Sequence, residues 1–230
     1  MQEPVAEPPE DPADVGRRLT TEVDGLFRTI LIDPPWRFQN RTGKVAPEHR
    51  RLRRYETMSH QQLAALPIAK LAEDQAHLYL WCPNALLPEG LSLLSAWGFQ
   101  YKTNLVWYKT RKDGGPDGRG VGFYFRNVTE LLLLGVRGKM RTLAPARRQV
   151  NIMISRKEEH SRKPLQAYDL ITACSPGPYL ELFARERVEG WTQWGDQVDS
   201  YGQDRPLIPA YNAFSHPSAT GATRKDEGAT

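Results

Sequence analysis

The sequence predicts an α/β protein with a largely parallel central sheet. Short β-rich apolar runs alternate along the chain with segments of helical spacing, the pattern of strands joined by crossover helices. The chain has 230 residues with 40% hydrophobic content, enough to bury one substantial core. Its longest apolar run, Leu131-Leu132-Leu133-Leu134, is cut off by Gly135 and Arg137, far short of the ~20 residues a membrane span requires. That run reads as a buried strand, and no membrane association is expected.

Residues 1–24 carry Glu3, Glu7, Glu10, Asp11 and Asp14 among many prolines. So little apolar surface cannot offset the entropy of ordering, and a disordered acidic tail is expected there. The segment also lacks the basic and apolar regions of an export signal, so a cytoplasmic protein is expected. Phe27 to Ile32 reads as a buried strand opening a domain over residues 25–199. Ser59-x-x-Gln62 has the form of a capping box ahead of Leu63, Leu66 and Leu71, in a helix that Pro67 kinks or splits. His77 to Cys82 is a predicted strand, Leu86 to Trp97 a helix closed by Gly98, and Asn104 to Tyr108 a strand. A glycine-rich loop occupies Gly114 to Gly122. Thr129 to Val136 and Val150 to Ile154 are further strands, Pro164 to Ala173 a helix with proline in its first turn, and Tyr179 to Phe183 a strand. Residues 200–230 are again poor in apolar groups, and a flexible tail is expected.

Several function classes find no support. Cys82 and Cys174 are far apart and unaccompanied by a C-x-x-C, and the five histidines are scattered, so neither a disulfide framework nor a metal site is expected. There is no Walker loop, and no G-x-G-x-x-G follows Leu180 to Phe183. The net charge is +4 despite the acidic N-terminal segment, so the body of the chain is more basic than the total, which favours an anionic partner.

Chemistry concentrates at Asp33-Pro34-Pro35-Trp36, immediately after the first strand, where functional groups emerge at the ligand edge of such a sheet. A rigid strand-exit turn does not need two prolines and an aromatic together. The tetrad suits methylation of an amino group such as adenine N6, whose lone pair is delocalised into the ring. Asp33 Oδ and the Pro34 carbonyl can each accept one N6 hydrogen, turning the lone pair toward a methyl donor. Pro34 and Pro35 fix φ around that carbonyl, and Trp36 offers a face for a base taken out of its helix. Core packing is the alternative role for Trp36.

At this tetrad the chain resembles the family of the catalytic subunit of eukaryotic messenger-RNA N6-adenosine methyltransferase, with its bacterial and phage relatives. Similar landmarks follow in the family's order: Tyr55-Glu56-Thr57-Met58-Ser59, Leu78-Tyr79-Leu80-Trp81, Val106-Trp107-Tyr108-Lys109, Glu130 leading into Leu131, Ser161-Arg162-Lys163-Pro164, Glu181-Leu182-Phe183-Ala184-Arg185 and Trp191 to Gln197. The resemblance covers residues 26–198. It implies a Rossmann-like S-adenosylmethionine-dependent methyltransferase fold in which the catalytic tetrad precedes the donor-binding segments. It also implies that Ile32, Asp33, Lys163, Phe183, Arg185, Asp196 and Gln197 surround S-adenosylmethionine. Lys163 stands ahead of a helix start, where a cation is favoured only if it shares an anion with that terminus, and the donor's carboxylate is suitable. For Asp196 and Gln197 a plain strand-end turn is the alternative. Glu186-Arg187-Val188 departs from the eukaryotic pattern, which puts the ribose contacts in question.

Two basic stretches, Arg37 to Arg54 and Arg137 to Lys157, flank predicted site elements and are expected to follow a phosphate backbone. Tyr55, Lys109, Arg126 and Asn127 are the candidate substrate contacts, with Tyr55 placed to close over the target base. The expected partner is nucleic acid, DNA before RNA, with a homo- or heterodimer as a further expectation. A non-catalytic nucleic-acid-binding subunit of the same fold is the alternative, against which the intact tetrad and Lys163 argue.

Overall fold

The computed structural model describes residues 12–37, 57–118, 124–156, 162–196 and 198. One seven-stranded sheet organises them, built from β1 (Phe27–Ile32), β2 (Ala72–Cys82), β3 (Gln100–Thr110), β4 (Thr129–Arg137), β5 (Ile152–Arg156), β6 (Tyr179–Leu182) and β7 (Trp191–Trp194) in the order β5-β3-β4-β2-β1-β6-β7. The pairings β1–β2, β1–β6, β6–β7 and β3–β5 are parallel, while β4 runs antiparallel to both β2 and β3. Six strands therefore point one way and β4 alone opposes them.

Side-chain alternation divides the apolar surface into two layers. Ile30, Ile32, Leu78, Leu80 and Cys82 face one core, beneath α1 (Pro12–Glu22), α2 (His60–Ala64), α3 (Ile68–Leu71) and α4 (Leu87–Ala96). Leu31, Tyr79, Trp81, Trp107, Leu132 and Leu134 face the other, where α5 (Gln166–Cys174) supplies Ala167, Tyr168, Leu170 and Ile171. The capping box is present in full, Ser59 accepting from Gln62 N and Gln62 accepting from Ser59 N, and Pro67 separates α2 from α3 as its ring requires.

Two expectations are corrected. The N-terminal segment is not disordered up to residue 24. Residues 12–22 form α1, and Leu19 and Val23, four apart on one face, are 0% and 5% exposed in the first core. Burying two such side chains contributes about 1.5–3 kcal/mol each, enough to dock a helix in an otherwise polar segment. The second correction concerns the basic stretch after β4. Because β4 is antiparallel, Arg137 lies at the amino edge of the sheet, donating to the carbonyls of Ala69 and Ala72. Leu143 N donates to the carbonyl of Cys174 at the far end of α5, which keeps the following turn, with Arg147 and Arg148, at the same edge. Of that stretch's described basic residues, Arg156 alone, at the end of β5, stands on the carboxyl edge.

Candidate active site

The carboxyl edge is where β1 and β6 diverge. β1 sits between β2 and β6, with the chain leaving it toward β2 and returning later to β6, the switch point at which open α/β sheets bind ligands. Asp33 leaves β1 here, Phe183 leaves β6, and Glu130 enters on the antiparallel β4. A small, half-open cleft lies beside Asp33 and Phe183. Asp33, Lys163, Phe183 and Arg185 line it together with Arg162, Tyr168, Glu181 and Glu186.

Two of the lining residues, Asp33 and Lys163, end a chain of alternating charges. Lys109 Nζ meets Glu130 Oε2 at 2.7 Å, Lys163 Nζ meets Glu130 Oε1 at 3.0 Å, and the same Nζ meets Asp33 Oδ1 at 2.9 Å. All four side chains are at most 18% exposed. The two ammonium groups lie over indoles, Lys109 over Trp107 and Lys163 over Trp81. Burial alone would raise the Glu130 pKa, but the two lysines outweigh it and hold the carboxyl at about 2. Burial likewise opposes charge on Lys163, and Asp33 and Glu130 outweigh it, leaving its pKa above the ordinary lysine value. Lys163 therefore meets its anions on β1's exit and on β4, rather than sharing one with the start of α5.

A second network lies beside the first. Glu181 on β6 accepts from Tyr168 Oη at 2.8 Å and from Gln193 Nε2 at 2.8 Å, while Arg162 pairs with Glu186 at 2.7 Å. Burial pushes the Glu181 carboxyl up to about 7; the Gln193 and Tyr168 hydrogen bonds oppose that rise and the Asp33 and Glu186 charges add to it.

The tetrad is fixed from both ends. Asp33 N donates to the Leu182 carbonyl, Trp36 N to the Pro34 carbonyl at 2.8 Å, and Met58 N to the Pro35 carbonyl at 2.9 Å. Pro34 is buried and Trp36 half-buried, with the indole Nε1 donating to the Trp81 carbonyl at 3.0 Å. Trp36 thus packs against the core at one edge, and its pairing with Met58 ties the tetrad to the start of α2.

The other predicted residues divide. Ile32 is 0% exposed and turned into the first core, so only its backbone reaches the edge. Asp196 does not line the cleft; its side chain is 72% exposed and pairs with Arg18 of α1 at 2.8 Å. Arg126 is exposed and donates to the Gly118 carbonyl, and Asn127 lies 3.5 Å from Asn84 Nδ2. Tyr55, Gln197 and Arg41 to Arg54 lie outside the described residues. Sequence reasoning gave Glu130 and Glu181 no role, although both stand at β-strand positions among otherwise apolar neighbours, where a carboxylate requires partners. Among the described residues no group of three or more His, Cys, Asp or Glu side chains is placed to hold a metal ion.

The open, mostly parallel α/β sheet with a cleft at its switch point is compatible with the fold of S-adenosylmethionine-dependent methyltransferases, the class to which the MT-A70 family belongs. The MT-A70 family model matches residues 27–197, and the chain belongs to that family. It is 28% identical over 188 residues to the type II methyltransferase M.MunI of Mycoplasma sp, an alignment covering 75% of this chain and 78% of that protein. It is 32% identical over 194 residues to the human N(6)-adenine-specific methyltransferase METTL4, covering 75% of this chain and 37% of that protein. To the human N(6)-adenosine-methyltransferase catalytic subunit METTL3 it is 26% identical over 187 residues, covering 80% and 30%. The chain thus spans most of the Mycoplasma protein and about a third of the human ones.

Proposed function

We propose that this chain transfers a methyl group from S-adenosylmethionine to N6 of adenine in nucleic acid, with DNA the favoured substrate and RNA the close alternative. The observation that carries the reading is Asp33, anchored at the carboxyl end of β1 beside the rigid Pro34 carbonyl and held by Lys163 at 2.9 Å. The cleft's chemistry fits the donor. Three carboxylates (Asp33, Glu181, Glu186) and three cations (Arg162, Lys163, Arg185) share it with the Phe183 ring, and the donor is itself mixed, with a sulfonium, an ammonium, a carboxylate and an aromatic base. Asp33, Lys163, Phe183 and Arg185 are the residues to hold it. Bound there, the donor supplies an electrophilic methyl group, so no metal is required.

The chain's own residues then do the positioning. Lys163 takes Asp33 Oδ1, so Oδ2 is the acceptor offered to one N6 hydrogen. The Pro34 carbonyl already accepts from Trp36 N and offers its second lone pair to the other. With both hydrogens held, the N6 lone pair would face the methyl group that the bound donor would supply for transfer from its sulfur to nitrogen. The methylated nitrogen loses its surplus proton to water. The exposed Arg126 and Asn127, with Tyr55 and Lys109, are the substrate-side residues, Lys109 acting through Glu130. DNA is favoured because the Mycoplasma type II methyltransferase is matched over most of its own length and the human adenosine enzyme over less than a third.

The test is transfer of tritiated methyl from S-adenosylmethionine to matched single- and double-stranded DNA and RNA, followed by digestion to nucleosides. N6-methyldeoxyadenosine is expected, and N6-methyladenosine as the main product would move the assignment to RNA. Donor binding without transfer to any of the four would point to a missing partner subunit or sequence context, and the absence of donor binding would favour the non-catalytic subunit.

A further inference from the structure

The helix α1 precedes the region matched by the MT-A70 family model, which begins at residue 27, yet it touches β7 and the turn after it, which pack behind the cleft-lining Phe183. Glu22 Oε2 accepts from the indole Nε1 of Trp194 at 2.7 Å. Arg18 sits over the same indole, 5.8 Å from its centroid, and bridges Glu22 Oε1 at 3.3 Å and Asp196 Oδ1 at 2.8 Å. Trp194 packs edge-on against Phe183 with ring centroids 5.8 Å apart, and its carbonyl accepts from Ala184 N at 3.0 Å. Phe183 lines the cleft.

Phe183 also has φ 62°, the described residues' one non-glycine position in the left-handed region. A bulky side chain there is strained and persists only where its surroundings over-determine it. The surroundings here are Trp194 and the backbone bond to Ala184. Gly195 allows that close approach, since a Cβ on it would lie 2.8 Å from both the nitrogen and the oxygen of Ala184. Trp194 in turn is held from outside by Glu22 and Arg18.

We infer that α1 is a bracket for the donor side of the cleft, with Glu22 and Arg18 as positioning residues that act through Trp194 on Phe183 and through Asp196 on the turn after β7. The inference rests on the donor-binding reading above and adds to it that donor affinity depends on a helix outside the family's matched region. Leu19 and Val23, not Glu22 or Arg18, bury the helix, so the two polar contacts can be removed while α1 stays docked.

The experiment is calorimetric titration of S-adenosylhomocysteine into the full chain and into Glu22→Ala, Glu22→Gln and Arg18→Met, with far-UV circular dichroism to verify the helix. Gln keeps an oxygen for the Trp194 indole, and Met keeps an aliphatic stem over its ring while losing the charge. Glu22→Ala should raise Kd by roughly two- to tenfold, the range of a typical lost hydrogen bond. Arg18→Met should raise it less, since exposed ion pairs are weak, and Glu22→Gln should stay within about twofold of the native chain. At saturating donor kcat should be unchanged, separating a positioning role from a general loss of fold. Unchanged or tighter binding in both Glu22→Ala and Arg18→Met overturns the inference. No binding by the native chain defeats the donor reading and this inference together, whereas unaltered variants beside a native chain that binds defeat this inference alone.

Discussion

Glu130 stands between two cations, and replacing it with glutamine keeps the shape while removing the charge that satisfies both. Lys163 retains Asp33 at 2.9 Å, but Lys109 loses the carboxylate it meets at 2.7 Å. The carboxyl's pKa falls from an ordinary 4.5 to about 2 in the fold. At ~1.36 kcal/mol per unit that displacement corresponds to on the order of 3 kcal/mol of stability at pH 7. The side chain is 13% exposed, so solvent screening removes little of it. A depressed folded pKa gives stability that is complete above about pH 4.5 and is lost as the pH falls toward 2. Urea unfolding of the native chain and Glu130→Gln should therefore differ by about 3 kcal/mol at pH 7, and the gap should narrow by roughly 1.4 kcal/mol by pH 3.5. A difference under about 1 kcal/mol, or one that does not change over that range, would refute the alternating-charge account of Lys109, Glu130, Lys163 and Asp33.

Asp33→Asn removes a charge and one of the two acceptors assigned to N6. Methyl transfer at saturating donor should fall by about 10²–10³-fold, and a loss under tenfold in single-turnover assays would leave N6 orientation to other groups. Glu181 has the opposite sign to Glu130. Its raised pKa gives stability that is complete below about pH 4.5 and declines as the pH rises through about 7, so Glu181→Gln should flatten that part of the pH–stability profile measured by urea unfolding; an unchanged profile would count against a buried carboxyl here. Gly90→Val in α4 should destabilise the fold by about 1–3 kcal/mol, because a Cβ at this position lies 2.7 Å from Cys82 Sγ and 3.0 Å from Leu133 Cδ1. A thermal midpoint equal to the native one would mean that α4 can move off the sheet at no cost.

What the sequence discloses and what it hides have one physical boundary, the range of the interaction. Strands from Phe27 to Ile32 and Thr129 to Val136, the capping box at Ser59 and the break at Pro67 follow from residues within a few positions of one another, and each is present. The helix over Pro12–Glu22 escaped because its acids and prolines dominate the local composition, while the two residues that dock it, Leu19 and Val23, gain their burial from strands far along the chain. At the site, Asp33 and Lys163 are legible beside family landmarks, but their contact joins positions 130 apart in sequence, and Glu130 completes it from a third element.

The direction of β4 is the most consequential fact that the sequence pattern leaves open, because a continuous apolar run reads the same whichever way its strand points. Running antiparallel, β4 enters at the catalytic edge, so its first residues bring Glu130 between Lys109 and Lys163 and leave Arg126 and Asn127 just outside the cleft. The same direction carries Arg137 and the basic turn that follows to the amino edge, where Arg137 is occupied by the carbonyls of Ala69 and Ala72. A basic run adjacent in sequence to site residues is therefore not adjacent to the site. Of that run's described charges, Arg156 is the one on the same sheet edge as Asp33, four strands away from it at the end of β5. Neutralising Arg156 should accordingly weaken oligonucleotide binding and lower its salt dependence, while neutralising Arg147 and Arg148 should leave both unchanged. Fluorescence anisotropy across a salt series distinguishes the two, and an equal effect from both would place the nucleic acid across the amino edge as well.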